Sequence, residues 1–212
     1  MLPLLALRAD PARGDIDAAR SWPRRDIVIA SLARLLVQLA CATLGLYLLY
    51  YFQTLRPGGR DTAAWVGSVL MLSYLIPLPV ALIAGRWSDR LGTRKPFQCA
   101  AALVGAVGLA GMALAKTPLQ GAAAFCLFSA GSAVFLSLNA TFAMQLLPRP
   151  DRRGRDLGLV NLANTLPAMI GTLLVWRLAT PDDFTNVLLA FAALTVAGAL
   201  AILAVREDPA WP

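Results

Sequence analysis

Gly85-Arg86-Trp87-Ser88-Asp89-Arg90-Leu91-Gly92-Thr93-Arg94-Lys95 is a charged stretch set between two long apolar runs, residues 63–85 and 97–115. Its own chemistry is that of a tight polar turn. Gly85 lets backbones approach closely, and Gly92 can take a left-handed turn conformation. Asp89 can accept hydrogen bonds from a helix N-terminus, where an anion is favoured. Arg90, Arg94 and Lys95 can pair with that carboxylate or with lipid phosphates. By charge alone it reads as an ordinary basic connector, so its meaning depends on what flanks it.

The flanks are the beginning of a pattern. A bilayer core about 30 Å thick needs roughly 20 apolar residues of helix. The chain offers six such spans, at 27–55, 63–85, 97–115, 119–147, 157–177 and 184–205. The connectors are 56–62, 86–96, 116–118, 148–156 and 178–183. Composition agrees: 58% of the 212 residues are hydrophobic and 15% charged, and the mean hydropathy is +0.64. A soluble domain carries about 25% charged residues, and this chain would expose too much apolar surface in water. Backbone groups in lipid must be satisfied within their own segment, so spans of this length are helices. The alternating polarity of ten-residue barrel strands is absent. The expectation is an all-α membrane protein with a polar arm over 1–26, a six-helix transmembrane bundle over 27–205 and a short tail over 206–212.

Several chemistries are excluded at this level. With no histidine, there is no Ser-His-Asp or Cys-His set and no histidine-ligated metal site. Cys41, Cys99 and Cys126 form no C-x-x-C pair and lie in apolar runs, where they read as small buried hydrophobes. Lys95 and Lys116 sit in connectors or at span ends, so no intramembrane Ser-Lys pair is available. No enzyme activity and no cofactor is expected. The net charge of +7 does not point to nucleic acid, because the basic residues sit in connectors between apolar runs. The apolar start Met1–Leu7 is short, lacks a preceding basic region and contains Pro3, so no cleaved signal peptide is expected.

The basic residues give an orientation. Fourteen fall on one side: Arg8, Arg13, Arg20, Arg24 and Arg25 in the arm, four in the second connector, Arg149, Arg152, Arg153 and Arg155 in the fourth, and Arg206. The other side has Arg56, Arg60, Lys116 and Arg177. Both termini are therefore expected in the cytoplasm.

The opening stretch, as G-x-x-x-D-R-x-G-x-R-K between two spans, resembles the signature loop of the major facilitator superfamily, which joins the second and third helices of a six-helix half. Trp87 stands where that family usually has Leu. Arg153-Gly154-Arg155-Asp156-Leu157-Gly158 and the following Asn161, Asn164 and Pro167 resemble the connector and next helix of a C-terminal half in bacterial members. Arg24-Arg25-Asp26 before a helix ending Leu48-Leu49-Tyr50-Tyr51 is similar to the start of that half. The resemblance implies helices seven to twelve, built as a 3+3 repeat. It also implies that Asp89, Arg90 and Arg94, with Gly85, Gly92 and Lys95, form a conformational latch against the neighbouring half.

Polar residues inside the spans are the remaining candidates. Arg34 is the one charge clearly within a span, which is costly and marks a functional candidate; snorkelling to the nearby interface is the competing reading. Gln38, Cys41 and Gly45 follow it on one face, lining either an aqueous cavity or a helix contact. Ser132 and Asn139, then Ser137, Thr141 and Gln145, recur on the fourth span; Asn161, Asn164 and Thr165 open the fifth. Such groups bind substrate or hydrogen-bond between helices. The facilitator resemblance implies that the first and fourth helices line the cavity, which raises Arg34, Gln38, Asn139 and Thr141, with Asn161 and Asn164 as further solute contacts. Tyr47, Tyr50 and Gln53 read as interfacial anchors. Pro77, Pro79 and Pro167 interrupt the second and fifth spans, and Gly105, Gly108 and Gly111 offer a small-residue packing surface. All twelve acidic residues lie outside the spans, so no intramembrane carboxylate is at hand for proton coupling.

The function expected from these readings is transport of a small solute by alternating access in a bacterial plasma membrane. Such a unit needs a second six-helix half, from a separate chain or a second copy. The competing expectation is a non-transporting membrane protein that binds or regulates a partner transporter. The expected partners are the lipid bilayer, a small solute and the second half, with no nucleic acid.

Overall fold

The computed structural model describes residues 24–55, 61–91, 95–145, 153–180 and 183–205, with the backbone path alone at 24, 27, 141–145 and 153–164. Seven helices occupy them: α1 (Arg24–Leu55), α2 (Thr62–Leu75), α3 (Pro77–Leu91), α4 (Lys95–Leu114), α5 (Pro118–Gln145), α6 (Arg153–Leu178) and α7 (Thr185–Leu203). α2 and α3 are two parts of one span broken at Ile76, whose N–H still reaches the Leu72 carbonyl. The break has a chemical cause. Pro77 has no N–H to continue the ladder, while it suits the first position of a new helix. Pro79 falls in that same first turn, where N–H groups lack partners anyway. Pro167 is carried inside α6 without ending it. Five helices are long and apolar enough to cross a membrane, and Thr165–Leu178 is a shorter apolar one.

Two boundaries differ from the sequence reading. α1 begins at Arg24 rather than at 27, which takes Asp26 out of the arm and into the first turn, where it is buried. An acidic side chain is favoured there by the helix dipole. The second connector shrinks, because α3 runs through Arg86, Asp89 and Arg90 to Leu91. No breaker precedes Gly92, and Arg90 suits the negative end of the helix. Asp89 therefore stands in the last turn of α3, not at a helix start of its own.

The spans pack in a two-fold pattern. The first span touches the fifth and the second touches the fourth; the first touches the sixth and the third touches the fourth; the third and sixth touch each other, as do the first and fourth. Exchanging the first three spans for the last three maps these contacts onto themselves, as in a 3+3 repeat; the first–second and fifth–sixth spans also touch, outside that symmetry. The tightest seam joins α4 to α5. A Cβ on Gly108 would lie 2.5 Å from the Phe128 nitrogen, and one on Gly131 2.6 Å from the Ala101 oxygen. Lipid supplies no hydrophobic drive between helices, so such backbone approach is how the packing attraction is gained. α6 meets α1 in the same way, with Gly171 pressed against Thr43. Around these seams lie two apolar clusters. One is rich in large side chains, among them Leu48, Phe52, Phe125 and Phe191. The other, toward the chain ends, is built on Ala33, Val37, Ala102 and Phe135.

Candidate functional site

The polar residues of α1 and α5 meet along one seam. Arg34, half-buried, donates from Nη1 to the Leu136 carbonyl on α5 at 3.4 Å. Asn139 is buried and donates from Nδ2 to the Ala30 carbonyl of α1 at 3.3 Å. One helical turn beyond the Arg34 tie on α1 lies Gln38, whose Oε1 is buried without a hydrogen-bond partner. Further along, the Cys41 thiol meets the Ser132 side chain, and Ser132 also abuts Gly105 of α4. One side-chain amide and one guanidinium here reach backbone carbonyls of the facing helix. A carbonyl already in an α-helical bond has a second lone pair to offer.

The stripe Arg34, Gln38, Cys41 and Gly45 thus runs along the edge of α1 that turns toward α5. Gly45 is exposed and has open space where a Cβ would stand. The side of α1 that is open carries Val28, Leu32, Leu46, Leu49, Tyr50 and Gln53. The open side of α5 carries Leu119, Ala123, Leu127 and Ser137. α5 is unbroken to Gln145, so Thr141 and Gln145 fall at the helical register of Ser137. Their side chains lie outside the described residues, as do those of Asn161 and Asn164 on α6. Tyr47 and Tyr50 stack obliquely, 6.3 Å between centroids. The three cysteines are free thiols, each half-buried.

The hairpin residues separate into distinct surroundings. Among the described residues, nothing lies within 4 Å of a would-be Cβ on Gly85, so none of them makes a close backbone approach there. Asp89 and Arg90 are exposed on the last turns of α3. Lys95 reaches across the bundle end to donate to the Val205 carbonyl beyond α7. It places a cation where a helix leaves unpaired carbonyls. Gly92 and Arg94 lie outside the described residues.

Some ties carried no sequence signal as sites. Tyr51 is buried and donates to the Met112 carbonyl at 2.8 Å, and Ser129 donates to the Ser73 carbonyl of α2 at 2.6 Å. The apolar stripe Leu44, Leu48, Tyr51 and Leu55 at helical spacing is the signal that places Tyr51 inward.

A bundle of six apolar spans with internal two-fold packing and its polar groups on internal seams is the architecture of a secondary-transporter half. The sequence profile of the Major Facilitator Superfamily matches residues 27–212, and the chain belongs to that family. It is 31% identical over 170 residues to the multidrug resistance protein MdtH of Edwardsiella ictaluri (strain 93-146), covering 78% of this chain and 41% of the relative. Against the MdtH of Klebsiella pneumoniae (strain 342) it is 32% identical over 168 residues, 77% of this chain and 40% of the relative. The chain spans about two-fifths of the length of these curated relatives. It is an integral multi-pass membrane protein of a transporter family.

Proposed function

We propose that this six-helix unit moves small lipophilic solutes by alternating access, working with a second six-helix unit across the open faces of α1 and α5. The observation that carries the reading is the character of those faces. Arg34 and Asn139 are drawn into the α1–α5 seam by their bonds to Leu136 and Ala30, which leaves Val28, Leu32, Leu46, Leu119 and Leu127 on the open side. An apolar wall with few polar groups binds apolar solutes with little desolvation cost. The relatives are named multidrug resistance proteins, which agrees with drug-like solutes for this chain. Gln38, Thr141, Asn161 and Asn164 supply the polar contacts in this scheme, and Arg34 and Asn139 hold the two cavity helices in register. The second unit is a separate chain, a continuation of this one or a second copy.

The hairpin then acts as the latch. Asp89 and Arg90, with Gly85, Gly92 and Arg94, meet the neighbouring unit on the cytoplasmic side, and Lys95 ties the hairpin to the end of α7. The excess of basic residues on the chain-end side supports a cytoplasmic position for both termini. The test is flux of a lipophilic fluorescent dye in vesicles holding this chain with a second six-helix unit, wild type against Asp89→Asn. Dye flux lowered by the substitution at unchanged protein level is the expected result. Equal flux removes the latch. Absent flux, with a stable complex to a full-length transporter, replaces transport with a partner-binding role.

A further inference from the structure

At the bundle end away from Arg24 and Val205, α1 and α4 finish beside the start of α7 and line a half-open cavity of about 150 Å³, with Asp183 exposed at its rim. Its polar wall is one-sided. Tyr51 donates its hydroxyl proton to the Met112 carbonyl at 2.8 Å, and Thr54 donates to the Tyr51 carbonyl at 2.7 Å. The Thr185 hydroxyl is hydrogen-bonded to the Asp183 carboxylate. With these protons committed, the hydroxyls offer the cavity lone pairs, and Asp183 adds a carboxylate.

The backbone field has the same sign. Two helix C-termini, those of α1 and α4, converge here with their partial negative charge. The opposing N-terminus of α7 is partly answered, because the Thr185 N–H donates to Asp183 Oδ1 at 2.8 Å. The rest of the wall, including Leu55, Phe184 and Leu188, is apolar. Asp183 is the one carboxylate among the lining residues, whereas divalent metal sites draw on several. An aromatic ring and aliphatic side chains suit the carbon of an organic cation.

We propose that this cavity binds a primary ammonium group, with Asp183 as its counter-ion and the Tyr51 and Thr54 hydroxyl oxygens as acceptors. The hydrogen bonds from Thr185 hold the Asp183 carboxyl below its ordinary range, so it carries its charge through neutral pH. The cavity lies at a membrane–water boundary, where ammonium arrives either on a free amine or on an ethanolamine headgroup. Lys116, exposed directly after the lining residue Ala115, gives a headgroup phosphate a partner. The site does not depend on the transport reading.

The experiment titrates the purified chain in detergent with ethylammonium chloride, followed by saturation-transfer NMR, with ethanol and sodium chloride as controls. Binding on the order of millimolar Kd is expected, with neither control competing. Asp183→Asn keeps an acceptor for the Thr185 N–H and should weaken binding about tenfold, the loss of one charge-assisted contact. Thr54→Val should weaken it by a smaller factor. Equal binding to Asp183→Asn, or displacement by ethanol, overturns the proposal, as does no ethylammonium binding at all. A second arm separates the sources by native mass spectrometry of bilayer nanodiscs containing equal phosphatidylethanolamine and phosphatidylcholine. Retention of ethanolamine lipid by wild type but not by Asp183→Asn assigns the headgroup. Equal retention of the two lipids, with ethylammonium binding intact, assigns the free amine.

Discussion

The seam between α4 and α5 and the span formed by α2 and α3 are both apolar helix, yet they are held in opposite ways. In the seam, Gly108 and Gly131 bring backbone against backbone. In the α2–α3 span, full burial among the described residues follows one narrow line through Thr62, Val66, Val69, Ser73, Pro77 and Ser88, while Met71 and Tyr74 are more than 70% exposed. The difference teaches that hydropathy alone does not say which face of a membrane helix is packed. In lipid an outward Leu loses nothing, so the packed face is chosen by small residues and by hydroxyls that reach a neighbouring carbonyl. α6 repeats the pattern of the second span, with one line through Pro167, Gly171 and Val175, as its two-fold mate should.

The sharpest way to break this contrast is to enlarge the seam. Gly108→Leu should cost about 3 kcal/mol or more, because the obstructing atoms belong to the Phe128 and Ala124 backbone and cannot turn aside. Loss of the monodisperse folded peak after detergent extraction checks it, and a stable Gly108→Leu bundle would refute the seam. Gly171→Leu should be milder, since the atoms it meets belong chiefly to the Thr43 side chain; thermal unfolding of the two variants gives the order.

The ties between α1 and α5 rank next. Asn139→Leu should destabilise by about 0.6–1.7 kcal/mol, the range of single interhelical hydrogen bonds in membranes. A double-mutant comparison with Gln38→Leu should show coupling, because both side chains occupy one seam. The turn before α7 comes lower. Asp183 has a folded pKa below its unfolded value of about 3.9. Its contribution is therefore complete above that value and is lost as pH falls through the lower folded one. The difference in Tm between wild type and Asp183→Asn should hold from pH 7 to about pH 5 and close on further acidification. The smallest effect is expected on the thin span, where Leu78→Ala should change stability by about 0.5 kcal/mol or less in the purified unit. A large loss there would mean that the exposed face already has a partner.

Much of this was legible in the residues. The six spans, their order and the family resemblance followed from apolar length and from the charged hairpin at 85–95, because lipid thickness and backbone satisfaction leave few solutions. Boundaries differ at Arg24 and Leu91, because charged residues there are good helix formers and polarity alone does not end a helix. For the candidate site, the sequence puts Arg34, Gln38 and Asn139 on the first and fourth spans but leaves their facing open. A period of 3.6 groups residues on a face without saying what that face meets.

The amino-acid order alone determined that this chain crosses a membrane six times as helix and belongs with the facilitator transporters, since hydropathy, helix length and a motif are local properties. Only the folded bundle decided that Asn139 braces Ala30, that Lys95 reaches Val205 and that hydroxyl lone pairs and Asp183 surround one cavity. Those facts join residues far apart in the chain, and which of them meet is fixed by the packing of small side chains across helices, not by any stretch read singly.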